Sequence, residues 1–210
     1  MRAAVSLVLF WSGLAFAEER KGFTNLIEDA TLKNWDLKQS KGEIKDYWNL
    51  TDGVLKAKPG KGWLCSKEQY GNFTLHVEWK IFSGGNSGVF IRVPGVKEGF
   101  SPSQTGAEIQ ILDDNSAKYK GKVKPYQFSG SLYSNVPCTK QVFRGAGEWN
   151  TFDITCQGDE IKVVYNGEKV IETNVTTIPA LNKRPRKGFI GLQNHGSAVE
   201  FRSVEIKTLD

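Results

Sequence analysis

Histidine is nearly absent from this chain: His76 and His195 are the only two among 210 residues. A three-histidine zinc site is therefore excluded, and a cysteine nucleophile has few partners to activate it. The three cysteines, Cys65, Cys138 and Cys156, are too few for a disulfide scaffold. They admit one bridge with a leftover thiol, or three free thiols. Methionine occurs once, as the first residue. There is no G-x-S-x-G elbow, no H-E-x-x-H, no C-x-x-C and no P-loop. No segment sustains a 3.6-residue apolar period, so helix should be scarce. Charged residues, at 24%, are ordinary, which excludes a disordered polyelectrolyte.

Long apolar runs are also missing, except at the start. Met1-Arg2 is followed by the apolar stretch Ala3–Phe16, the A-x-A site Ala15-Phe16-Ala17, and the polar run Glu18-Glu19-Arg20-Lys21. That is the pattern of a signal peptide over residues 1–17, and the stretch is too short to span a bilayer. The mature chain, residues 18–210, is expected to be one domain without a membrane span, secreted or periplasmic. The formal charge of +5 falls by one when Arg2 leaves with the leader. The basic clusters Lys118–Lys124 and Lys183–Lys187 then read as solvated loops, and no nucleic-acid partner is expected. The oligomeric state is left open.

What the chain has is glycine, 22 of 210 against roughly 7% on average, with aromatic and β-branched residues. Strand patterns recur at short intervals: Tyr47–Leu50, Val54–Ala57, Phe73–Phe82, Val89–Val93, Ala107–Leu112, Thr151–Cys156, Ile161–Tyr165, Lys169–Ile171, Phe189–Gln193 and Val199–Lys207. Asp52-Gly53 and Asn166-Gly167 mark tight hairpins. An all-β antiparallel sandwich of about a dozen strands fits this pattern.

Alternate strand positions share a sheet face, and on several strands one face is polar. Glu78 and Lys80 lie on one strand, Phe90 and Arg92 on the next, then Glu108 and Gln110, and finally Gly191, Gln193 and His195. Any one of these is ordinarily a solvated side chain. As a set they combine carboxylates, amides, an Arg, a His and a Phe, a mixture suited to sugar hydroxyls and rings. Asn86 and Lys80 join the candidate substrate contacts, and Trp63, Tyr133 and Trp149 are candidate rim platforms. Asp113-Asp114-Asn115 offers hard oxygens of the kind Ca²⁺ takes, yet such a stretch is more often a turn. No cofactor is expected, and the metal question stays open.

The order of Gly84-Gly85-Asn86-Ser87-Gly88-Val89-Phe90-Ile91-Arg92, Glu108-Ile109-Gln110-Ile111-Leu112-Asp113, Gly147-Glu148-Trp149-Asn150 and Gly191-Leu192-Gln193-Asn194-His195-Gly196 resembles the 3-keto-disaccharide hydrolase family. Asp52-Gly53-Val54-Leu55, Gly62-Trp63-Leu64 and Val199-Glu200-Phe201-Arg202 extend the resemblance from about Phe23 to Leu209. The resemblance implies a concanavalin-A-like jelly roll and cleavage of glycosides already oxidised at C3. Glu108-Ile109-Gln110-Ile111-Leu112 also resembles the E-x-D-x-E strand of concanavalin-like retaining glucanases. Gln110 and Leu112 break that pattern, which leaves one carboxylate on the strand. A retaining glycosidase needs two, about 5–5.5 Å apart, and Glu78 would have to supply the second. Keto-sugar chemistry asks for less: a base for the C2 proton, a stabiliser for the enolate and an acid for the leaving oxygen. His195 or Glu108 is then the candidate base and Arg92 the candidate enolate partner, with Gln110, Gln193 and Asn86 orienting hydroxyls. The rival expectation is a carbohydrate-binding module without catalysis on the same fold.

Overall fold

The computed structural model describes residues 20–97 and 99–210; the leader expected over residues 1–17 lies outside them. Thirteen strands follow in chain order: β1 (Thr24–Asn25), β2 (Trp35–Lys38), β3 (Trp48–Thr51), β4 (Val54–Ala57), β5 (Gly62–Tyr70), β6 (Phe73–Ile81), β7 (Asn86–Val93), β8 (Ala107–Leu112), β9 (Asn150–Gln157), β10 (Glu160–Tyr165), β11 (Glu168–Asn174), β12 (Gly188–Asn194) and β13 (Val199–Thr208). Two helices, α1 (Ile44–Tyr47) and α2 (Pro102–Thr105), are one turn each. The strands form an eight-stranded sheet in the order β11-β10-β9-β6-β13-β4-β3, with β1 also on β13, and a five-stranded sheet in the order β2-β5-β12-β7-β8. All pairings between named strands are antiparallel. This is the expected sandwich.

The expected turns form for the expected reason. Asp52 and Gly53 sit at φ +53° and +72°, and Asn166 and Gly167 at +50° and +86°, the left-handed pair that matches strand twist in a two-residue hairpin. Between the sheets, Leu75, Val77, Trp79, Phe152, Ile154 and Phe201 meet Leu64, Val89, Ile91, Ile109, Ile111, Ile190 and Leu192, all sealed from solvent. Burial of such side chains contributes roughly 1.5–3 kcal/mol each.

The outer face of the five-stranded sheet is different. It carries a second apolar cluster of Trp63, Cys65, Phe90 and Val93 with Phe189 against it. The β7–β8 connection includes α2, which closes when the Gly106 N–H donates to the Pro102 carbonyl at 2.8 Å. Pro102 lines a cavity together with Trp63 and Phe90 on this outer face. The Arg184 guanidinium donates to the Ser103 carbonyl at 2.6 Å and to the Gly106 carbonyl, which ties this turn to the loop before β12.

The three cysteines are free thiols. Burial pushes Cys65 and Cys156 up to about 12, so neither is poised as a nucleophile.

Candidate active site

Register assembles one polar face on the five-stranded sheet. Glu108 pairs with Phe90, Phe90 with Gly191, and Gly191 with Cys65. One step along, Gln110 pairs with Gly88 and Gln193 with Trp63. Trp63, Phe90, Gln193 and His195 line a cavity of about 200 Å³, with Gln39, Lys61, Ser101 and Pro102 completing its wall.

Two glycines make the floor. A Cβ on Gly88 would lie 2.2 Å from Glu108 Oε1, and a Cβ on Gly191 would lie 2.4 Å from the Trp63 ring. The glutamate carboxyl therefore lies over one glycine and the indole over the other. Trp63 meets the Phe90 ring edge-on, with centroids 5.6 Å apart and an 83° interplanar angle.

Burial sets the electrostatics. Glu108 is 4% exposed, and desolvation pushes its carboxyl up to about 8, against a smaller opposing effect from the Ser103 hydroxyl. It is a neutral acid at pH 7. His195 stands exposed at the end of β12, and partial desolvation followed by the Lys61 ammonium holds it below the usual histidine value. It is a neutral base at the same pH. Opposed shifts of this kind separate an acid from a base within one site. Asn194 fixes the position of His195: its Nδ2 donates to the Lys58 carbonyl at 2.9 Å, and its Oδ1 accepts the Gly196 N–H at 2.9 Å.

Trp63 Nε1 and Gln193 Oε1 are both buried without a hydrogen-bond partner among the described residues. One is a donor and the other an acceptor, on directly paired residues of the cavity lining. Leaving such groups unmatched costs about 1–3 kcal/mol each.

Not every expected residue joins this face. Arg92 does not share it with Phe90. Its backbone takes φ +52°, and the β7–β12 register shifts between Phe189 and Gly191, so the alternation of faces breaks there. Its guanidinium, 3% exposed, donates to the Gly71 carbonyl at 2.9 and 3.2 Å and to the Gly158 carbonyl at 2.9 Å. Arg92 ties loops together and is not available to an enolate. Arg92→Ala is expected to destabilise the fold by roughly 3 kcal/mol, while kcat per folded molecule stays within about twofold. Thermal denaturation alongside active-site-normalised rates checks this.

Glu78, Lys80 and Trp149 belong to the other sheet's surroundings. Glu78 on β6 pairs with Arg202, and His76 first and then Arg202 hold its carboxyl down at about 2. It is a fixed anion on the eight-stranded sheet, so the second carboxylate of a retaining glucanase is not supplied. Lys80 pairs with Glu200 at 2.7 Å. The Trp149 ring has Lys80 Nζ 4.7 Å and Arg202 Cζ 4.5 Å from its centroid, so cations occupy the rim platform expected there.

Gln110 is buried on the site face, and its Nε2 reaches Asn86 Oδ1 at 3.5 Å. Tyr133 lines a neighbouring cavity instead. Asp113 accepts the Gly84 N–H at 2.8 Å, and Asp114 Oδ1 accepts the Ser129 N–H at 2.9 Å, so both anchor turns. No group of three or more potential metal-ligating His, Cys, Asp or Glu side chains stands together among the described residues. Lys61, Gln39, Ser101 and Ser103 were not foreseen. Only Lys61 left a signal, two positions before Trp63 and just ahead of β5.

A family model described as the 3-keto-alpha-glucoside-1,2-lyase-like domain matches residues 22–207. A 3-keto-disaccharide hydrolase from Bacteroides thetaiotaomicron is 30% identical over 231 aligned residues, covering 90% of this chain and 79% of the relative. Among solved structures, a protein from Parabacteroides distasonis described as a candidate glycosyl hydrolase superposes with a TM-score of 0.78 at 31% identity, covering 89% of this chain and 99% of its own. A Bacillus licheniformis β-glucanase superposes at 0.56 with 15% identity, covering 89% and 97%, which shows the concanavalin-like fold alone.

Proposed function

This chain belongs to the 3-keto-alpha-glucoside-1,2-lyase-like domain family, and from that membership and the site we propose that it is an exported enzyme that cleaves 3-keto-glycosides. The observation that carries this reading is the unmatched pair of Trp63 Nε1 and Gln193 Oε1 beside a neutral acid and a neutral base. The indole N–H only donates, so it wants an acceptor such as a ketone oxygen. The Gln193 carbonyl only accepts, so it wants a sugar hydroxyl.

The proposed reaction begins when the neutral His195 imidazole removes the C2 proton, which the C3 ketone acidifies. The C–H electron pair becomes the enolate, and its oxygen is held by the Trp63 N–H and the Lys61 ammonium. The enolate then expels the C1 oxygen, which takes its proton from the Glu108 carboxylic acid. Water adds across the resulting C1–C2 double bond: hydroxide at C1, a proton at C2. The net change is hydrolysis. An ordinary glycoside lacks the ketone, so its C2 proton is not acidic enough for this base.

The test is aglycone release from a 3-keto-glucoside and from the matching unoxidised glucoside. Release from the keto compound alone is the expected result. Binding without release supports a carbohydrate-binding module instead, and release from both removes the requirement for the ketone.

A further inference from the structure

A second cavity, of about 480 Å³, opens beside the first and shares Ser101 with it. Its wall is Ser101, Ser103, Gln104, Tyr133, Ser134, Asn135, Ala180 and Arg184. The first cavity alone, about 200 Å³, is smaller than the range of about 300–1,000 Å³ that small-molecule sites occupy. It has room for one sugar ring, and a disaccharide needs the space beyond.

The turn Ser101–Thr105 stands as a bar between the two cavities. Ser103 lines the second cavity, and its hydroxyl stands 2.7 Å from that of Ser101, the residue the two cavities share. The Tyr133 N–H donates to the Glu108 main-chain carbonyl at 2.9 Å, which fixes the Tyr133 backbone against β8. Ser134, next in the chain, is held at φ +62°, a strained setting for a serine, and such settings gather at functional sites. The bar itself is fixed, because Arg184 Nη1 donates to the Ser103 and Gly106 carbonyls. Beside the guanidinium, the wall is hydroxyls, amides and one aromatic ring, the chemistry of a polyhydroxylated ligand.

We infer that the second cavity is the leaving-group subsite, taking the departing sugar or other hydroxylated aglycone against Tyr133. This inference rests on the 3-keto-glycoside reading above.

The experiment compares kcat/KM for a 3-keto-disaccharide and for methyl 3-keto-glucoside in the unmodified protein and in Tyr133→Ala. The ratio of the two substrates is expected to fall at least tenfold in the variant. Gln104→Ala, at an exposed position on the bar, is expected to shift the ratio in the same direction by about threefold, and it serves if Tyr133→Ala does not fold. A disaccharide-to-methyl ratio unchanged within twofold in both cavity variants would overturn the subsite. An unmodified protein that turns over neither substrate would overturn the reading beneath it.

Discussion

His195→Ala is expected to lower kcat on a 3-keto-glucoside by about 10²–10⁴-fold, the usual worth of a positioned general base, with little change in thermal stability. The stability expectation follows from place: His195 is exposed at the end of β12, and the turn around it is held by Asn194 through Lys58 and Gly196. The rate expectation follows from state. Desolvation and Lys61 lower the His195 pKa below 6.5, so the imidazole is an unprotonated base at neutral pH. The activity of the unmodified protein should therefore rise with pH through a step below pH 6.5, and that step should vanish in the alanine variant. Steady-state rates between pH 5 and 7, with melting curves on the same samples, check both halves. A step that survives in His195→Ala would assign it to another group.

Glu108→Gln should move activity and stability in opposite directions. The glutamine keeps the shape over Gly88 but has no proton to give, so kcat on poor leaving groups should fall by about 10²-fold or more. For stability, the sign follows from linkage. The Glu108 pKa is about 8 in the fold against an ordinary 4.5, so between those values the folded state holds a proton that the unfolded state has released. This contribution is fully present below pH 4.5 and is lost as pH rises through 8. The glutamine variant has no such loss, and its melting temperature should exceed that of the unmodified protein at pH 8 while falling no faster with pH. The same group gives the alkaline limb of the unmodified enzyme, near pH 8, where the acid loses its proton. Melting temperatures that decline equally in both proteins from pH 5 to 8 would place the Glu108 pKa elsewhere.

Two kinds of information lie behind the agreement and the misses between sequence and structure. Local alternation carries far: Phe73–Ile81, Ala107–Leu112 and the two hairpins stand where their periodicity and turn residues put them. β5 escaped because Trp63, Leu64, Cys65 and Ser66 are all buried, so no alternation marks it, and the cavity residue Lys61 just ahead of it went unmarked too. Alternation also says which residues share a face without saying on which sheet that face lies. Glu78 and Glu108 look equivalent in sequence, yet one is a paired anion on the eight-stranded sheet and the other a buried acid on the five-stranded sheet. Arg92 shows a further limit. One residue at positive φ breaks the two-residue rule, and nothing in the side chain announces it. Glu108, Gln110, Trp63 and Gln193 lie on the five-stranded sheet where the pairing puts them, Glu108 opposite Phe90, Gln110 opposite Gly88 and Gln193 opposite Trp63, and His195 follows β12 by one residue.

The account turns on removal of the C2 proton, and turnover of a 3-keto-glycoside in D₂O tests that step directly. Elimination followed by hydration places one solvent hydrogen at C2 of every product molecule, so the released sugar should carry one deuterium there from the first turnovers. Release of aglycone with the original hydrogen still at C2 would contradict the account.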